Sequence, residues 1–113
     1  MPNILYGDLW FTDLDPTVGH EQSGQRPVLV ISPNEFNQSS LKLVIVLPVT
    51  TNPRPLPSHF PILPPEGGLK RPSMVLCEAI RSISHDRLER HIGTVSEVTM
   101  AAVQDRLRIL LNL

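Results

Sequence analysis

The sequence predicts a mainly β domain, a small curved barrel closed by one C-terminal helix. Three observations carry that expectation. Two compact apolar runs rich in β-branched residues, PVLVI (27–31) and KLVIVLPV (42–49), have the length of buried strands. Seven of the 12 prolines fall between Pro48 and Pro65, which excludes a long helix there and favours short strands and irregular connections. Helical periodicity is clear only after Ser96, where Met100, Val103, Leu107 and Leu110 share one stripe.

Taken in order, LYGDLWFTDL (5–14) reads as a strand ended by Asp15-Pro16, and residues 15–25 as a long polar loop. RPVLVIS (26–32) is a central strand, and PNEFNQSS (33–40) a turn or a single helical turn. KLVIVLPVTT (42–51) is the strongest strand signal, with Pro48 at a bulge or where its missing N–H is not needed. NPRPLPS (52–58) is a rigid loop, HFPIL (59–63) a possible edge strand and PPEGGLK (64–70) another loop. RPSMVLCEAIRSI (71–83) is a strand whose last residues turn away. SHDRLERHIGTVS (84–96) reads two ways: Ser84 capping a short helix over 85–90, and IGTV as one more short strand. Ser96 then caps the terminal helix, with Glu97 in its first turn and Leu111 and Leu113 widening the apolar stripe. About five strands and a helix result, in one domain spanning 1–113.

Bulk properties narrow the function. The 113 residues are 41% hydrophobic and 19% charged, which is globular composition. Net charge is −1, so any nucleic-acid contact must come from a local basic patch. Aromatic residues make up 4%, too few for a row of stacking platforms. Cys77, the one cysteine, lies in the apolar run MVLC and reads as a small buried hydrophobe. No secretory leader or membrane span is expected, and the simplest location is the cytoplasm.

The chemistry concentrates in DPTVGHEQSGQRPVLVIS (15–32), where His20, Glu21, Gln22, Gln25 and Arg26 precede a strand. Metal catalysis is disfavoured: the four histidines form no i, i+4 pair, and only Asp13 and Asp15 share a strand face. GxSxG and phosphate-binding GxxxxGK[ST] motifs are absent. Metal-free acid–base chemistry remains. Cleaving an RNA phosphodiester that way needs a base for the 2′-hydroxyl, an acid for the leaving 5′-oxygen, and donors for the charge building on phosphorus. Arginine suits the last task because its planar fork meets two phosphate oxygens. Thr50 and Thr51 end the strongest strand with hydroxyl donors. Each residue also has a plain alternative: a solvated His–Glu pair, an arginine in a surface ion pair, and strand-end threonines.

GDLWFTDLDPTVGHEQSGQRPVLVIS, VIVLPVTTN and SMVLCEAIRSIS together resemble the MazF/PemK (Kid) family of type II toxin endoribonucleases, over nearly the full chain and in the same order. The resemblance implies an SH3-like barrel (the CcdB/MazF/PemK-like fold) with a C-terminal helix, working as a homodimer. It implies a cofactor-free, metal-independent ribonuclease that cuts single-stranded RNA, leaving 2′,3′-cyclic phosphate and 5′-hydroxyl ends. Messenger RNA is the expected substrate, with transfer and ribosomal RNA left open. A MazE-like antitoxin would block the groove, and DNA would be met only through the antitoxin complex.

By position, the resemblance assigns catalytic roles to Arg26, Thr50, Glu21 and His20, leaving open whether His20 or Glu21 is the base. Gln22, Gln25, Thr51, Asn52, Arg54, Glu78 and Arg81 become RNA-contacting candidates, and Lys70 and Arg71 add positive charge to the groove. The Kid branch places a catalytic arginine and aspartate where this chain has Leu76 and Glu78. Leucine carries no proton, so the pairing of Arg26 with Thr50 is favoured, with Glu78 a weaker base candidate. Two other readings stand beside this one: a CcdB-like gyrase poison acting through its C-terminus, and an inactive module that only binds antitoxin.

Overall fold

The computed structural model describes residues 3–15, 18–21, 24–52 and 54–113. Among these described residues lie seven strands and two α-helices: β1 (Asp8–Asp13), β2 (Gln25–Val30), α1 (Asn34–Asn37), β3 (Leu43–Thr50), β4 (His59–Ile62), β5 (Ser73–Leu76), β6 (Arg81–Ser84), β7 (Leu88–Thr94) and α2 (Glu97–Leu111). All strand pairs are antiparallel, in the order β4-β5-β3-β2-β1-β7, with β6 also paired to β3.

The central strands are buried on both faces, which explains their unbroken apolar runs. Leu9, Leu29, Leu47 and Val49 face one core, shared with Met100 and Val103 of α2. Trp10, Val28, Val30, Val44 and Val46 alternate to the other side and pack with Ile83. Pro48 lies opposite Val28 of β2. On its other edge β3 pairs with β6 up to Val46 and with β5 from Val49, so the proline falls at the changeover, where no N–H is required.

Two expectations are corrected. Segment 71–83 is two strands, because Val75 opposes Val49 while Arg81 opposes Val46. The surplus residues loop out as a 3₁₀ turn, Cys77–Ala79, which lifts Glu78 to the surface. The helix over 85–90 is absent: Ser84 caps a 3₁₀ turn of only three residues, His85–Arg87, and Leu88 already begins β7. The described residues therefore hold seven strands rather than about five.

Helix α2 is fixed at its start. The Ser96 hydroxyl accepts the Thr99 N–H at 3.1 Å, and Glu66, from the loop between β4 and β5, accepts hydrogen bonds from Ser96 and Thr99. That loop sits against β7 at closest approach: a Cβ on Gly93 would collide with the Gly67 carbonyl. Further along, Arg106 stacks over Phe60, 4.7 Å from the ring centre. The last turns leave the core, and Ile109, Leu110, Leu111 and Leu113 are exposed. No helix among the described residues is long and apolar enough to cross a membrane.

Candidate active site

Arg26 is the second residue of β2 and Thr50 the last of β3. The β2–β3 ladder ends at the Val28–Pro48 pair, so Arg26 and Thr50 lie just beyond it at the same end of the two strands. Both line two adjoining clefts of about 210 and 180 Å³. Gln25 and Thr51 line the first, while Asn52, Arg54, His59, Leu76 and Glu78 line the second. Thr50 Oγ1 accepts the Asn52 N–H at 3.1 Å, which braces the strand end and leaves the hydroxyl hydrogen for another acceptor. Two guanidinium groups beside a hydroxyl form a site suited to a phosphate oxyanion.

Glu78 stands on the lifted turn after β5. Its Oε2 lies 2.8 Å from Nε2 of His59, and its Oε1 accepts the Ser58 hydroxyl at 2.8 Å. Partial burial pushes the Glu78 carboxyl upward, but the hydrogen bonds from His59 and Ser58 outweigh it and hold the group below the ordinary carboxylate value. His59 itself is buried, directly across from Leu76, with Nδ1 2.9 Å from the Arg54 carbonyl. Leu76 is buried and apolar, so the proton-bearing neighbour of Glu78 comes from the adjacent strand instead. His59 carried no sequence signal. It reads as the first residue of an edge strand, and its partner lies 19 positions away.

His20 and Glu21 fall elsewhere. With Glu78, Ala79, Ile80 and Arg81 they line a third cleft of about 430 Å³. Among the described residues, Glu78 is the one common to this cleft and the Arg26–Thr50 site. Glu21 Oε1 accepts the Val18 N–H at 2.6 Å, so this carboxylate closes its own loop. Arg81 is half-buried, and its Nη1 is buried without a hydrogen-bond partner among the described residues. Gln22 lies outside the described residues. Lys70 and Arg71 are exposed in the turn before β5 and are not among the residues lining these clefts.

Asp13 and Asp15 hold backbone: Asp13 Oδ1 accepts the Asp15 N–H, and Asp15 Oδ1 the Gly24 N–H, each at 3.0 Å. Among the described residues no group of three His, Cys, Asp or Glu side chains is arranged to hold a metal ion.

Residues 6–111 match the family model described as the PemK-like, MazF-like toxin of type II toxin–antitoxin systems. Endoribonuclease EndoA of Bacillus subtilis is 38% identical over 111 residues, covering 97% of this chain and 96% of its own. Endoribonuclease MazF9 of Mycobacterium tuberculosis is 35% identical over 112 residues, covering 95% of each. Among solved structures, MazF from Deinococcus radiodurans superposes with a TM-score of 0.88 at 29% identity, covering 100% of both chains. A MazE–MazF complex from the same organism gives a TM-score of 0.81 at 30% identity, covering 100% of this chain and 99% of the other.

Proposed function

This chain belongs to the PemK-like, MazF-like toxins of type II toxin–antitoxin systems, and from that membership we propose that it cuts single-stranded RNA in the cytoplasm by metal-independent acid–base chemistry. The observation that carries the reading is the convergence of Arg26 and Thr50, from two strands, on the same clefts. A scissile phosphate seated there receives the guanidinium fork of Arg26 and the Thr50 hydroxyl. These donors stabilise the charge that develops as the 2′-oxygen attacks phosphorus. The attacking hydroxyl loses its proton to a base, the P–O5′ bond breaks, and the 5′-oxygen takes a proton. The products are a 2′,3′-cyclic phosphate and a 5′-hydroxyl.

With the attacking 2′-hydroxyl turned toward Glu78, where the clefts meet, the base comes from the loop, and His20 is the better placed of its two candidates because Glu21 is tied to Val18. Arg54 and Arg81 meet flanking phosphates. Gln25, Thr51 and Asn52 contact the strand, and messenger RNA is the substrate class. A second copy of the chain covers the exposed Ile109, Leu110, Leu111 and Leu113, and a MazE-like antitoxin occupies the groove when the toxin is silent.

The test is digestion of single-stranded RNA by the purified protein in EDTA, with the fragment ends analysed. Cleavage should persist in chelator and leave cyclic phosphate ends. Arg26→Ala should lower it about 100- to 1,000-fold without loss of fold. Cleavage that needs added metal, or an Arg26→Ala variant of full activity, overturns the mechanism.

A further inference from the structure

The contacts of Glu78 point to a role for a residue that the proposed chemistry leaves unused. His59 is buried at the start of β4, and both of its ring nitrogens face acceptors: the Arg54 carbonyl at 2.9 Å and Glu78 Oε2 at 2.8 Å. A carbonyl oxygen only accepts, so Nδ1 carries a hydrogen. The contact at Nε2 likewise needs one proton between nitrogen and carboxylate. The ring is thus held from both sides, and it holds the carboxylate in turn. Ser58, the preceding residue, donates to the other oxygen of Glu78. Both carboxylate oxygens are therefore fixed from one neighbouring segment, while the Glu78 side chain remains 42% exposed at the junction of the clefts.

A carboxylate engaged twice is a poor proton acceptor but a well-aimed hydrogen-bond acceptor, because each oxygen keeps a further lone pair. Single-stranded RNA presents donors as 2′-hydroxyls, which every nucleotide carries alike, and as N–H groups on nucleobase edges, where uracil alone lacks an exocyclic amino group; its phosphates are repelled by the same charge. Leu76, directly across from His59, offers no competing polar partner.

We propose that His59 is a positioning residue that fixes the Glu78 carboxylate as the reader of one amino-bearing base, and so sets base preference at one position of the cleavage sequence. The proposal rests on the reading of the chain as a ribonuclease.

The experiment is limited digestion of a random-sequence RNA pool by the full chain, with fragment ends sequenced and preference taken as the ratio among sites within each digest. The wild type should favour adenine, cytosine or guanine over uracil at one position. Glu78→Gln should flatten that preference about tenfold. His59→Leu should flatten it at the same position, and His59→Gln, which returns an N–H near the place of Nε2, should restore it. Glu78 is exposed, so its variant decides the recognition step even where His59→Leu fails to fold, and His59→Gln then decides the positioning step by retaining or losing the preference. A uniform loss at all sequences, or a preference unchanged in Glu78→Gln, overturns the inference while leaving the ribonuclease reading intact. A wild type that cuts no RNA removes both.

Discussion

His20 and Glu21 are adjacent in the chain but differently committed. The Glu21 carboxylate accepts a backbone N–H three residues back, whereas His20 is exposed and faces the cleft shared with Glu78. An imidazole is also the side chain most often found as a general base. His20→Ala should therefore lower RNA cleavage about 100-fold. Glu21→Gln, which keeps an oxygen for Val18, should stay within a few-fold of the wild type. A silent His20→Ala beside a dead Glu21→Gln would reverse the assignment. Arg26 and Thr50 were singled out by a resemblance that turns on local motifs, each at the edge of a strong strand signal, and the structure adds that both line the same clefts. His59 was not, since its meaning depends on a register between β4 and β5 that no local pattern encodes.

At the level of elements, the start of α2 depends on a carboxylate from another loop. One oxygen of Glu66 accepts the Ser96 N–H, the Ser96 hydroxyl and the Thr99 hydroxyl. Burial raises the Glu66 carboxyl, but these donors outweigh it, and the folded value lies below the ordinary 4.5. A carboxyl depressed on folding adds stability that is present above about pH 4.5 and fades as pH falls through the folded value. Glu66→Gln should thus lower Tm by a few degrees at pH 7. The gap between variant and wild type should narrow as pH falls below 4.5, as followed by helical circular dichroism. A gap that widens in acid would contradict this account. The helix itself was readable from Ser96 and the stripe through Met100 and Val103. The strand β7 was harder, because LERHIGT is a largely exposed edge strand with no alternation to find. The break in 71–83 was hidden too, because it answers to the changeover of partners along β3 rather than to any breaker residue.

Across the whole molecule, β3 acts as the spine. It pairs with β2 on one edge and with β6 and then β5 on the other, has a core on each face, and carries Thr50 at its end. The proposed phosphate site is therefore anchored to the most enclosed part of the chain, while the residues set to choose the RNA sequence stand on loops and turns. Fold class was visible at this scale because strands buried on both faces must be apolar throughout. The grouping of the clefts was not, since it follows from how far the turn at 77–79 lifts its residues.

That turn begins with Cys77, which is fully buried next to Glu78, and burial pushes its thiol up to about 11 from 9.0. At a fixed pH such a sulfur holds roughly 100-fold less thiolate than a free cysteine, before any steric shielding. The chain's one cysteine is thus a built-in clock for opening of the core beneath the turn that carries Glu78. A thiol-reactive dye should label the native protein at least about 100-fold more slowly than the urea-unfolded chain, and bound substrate RNA should slow it again. Labelling at the rate of a free thiol would mean that the core beneath this turn opens readily in the native state.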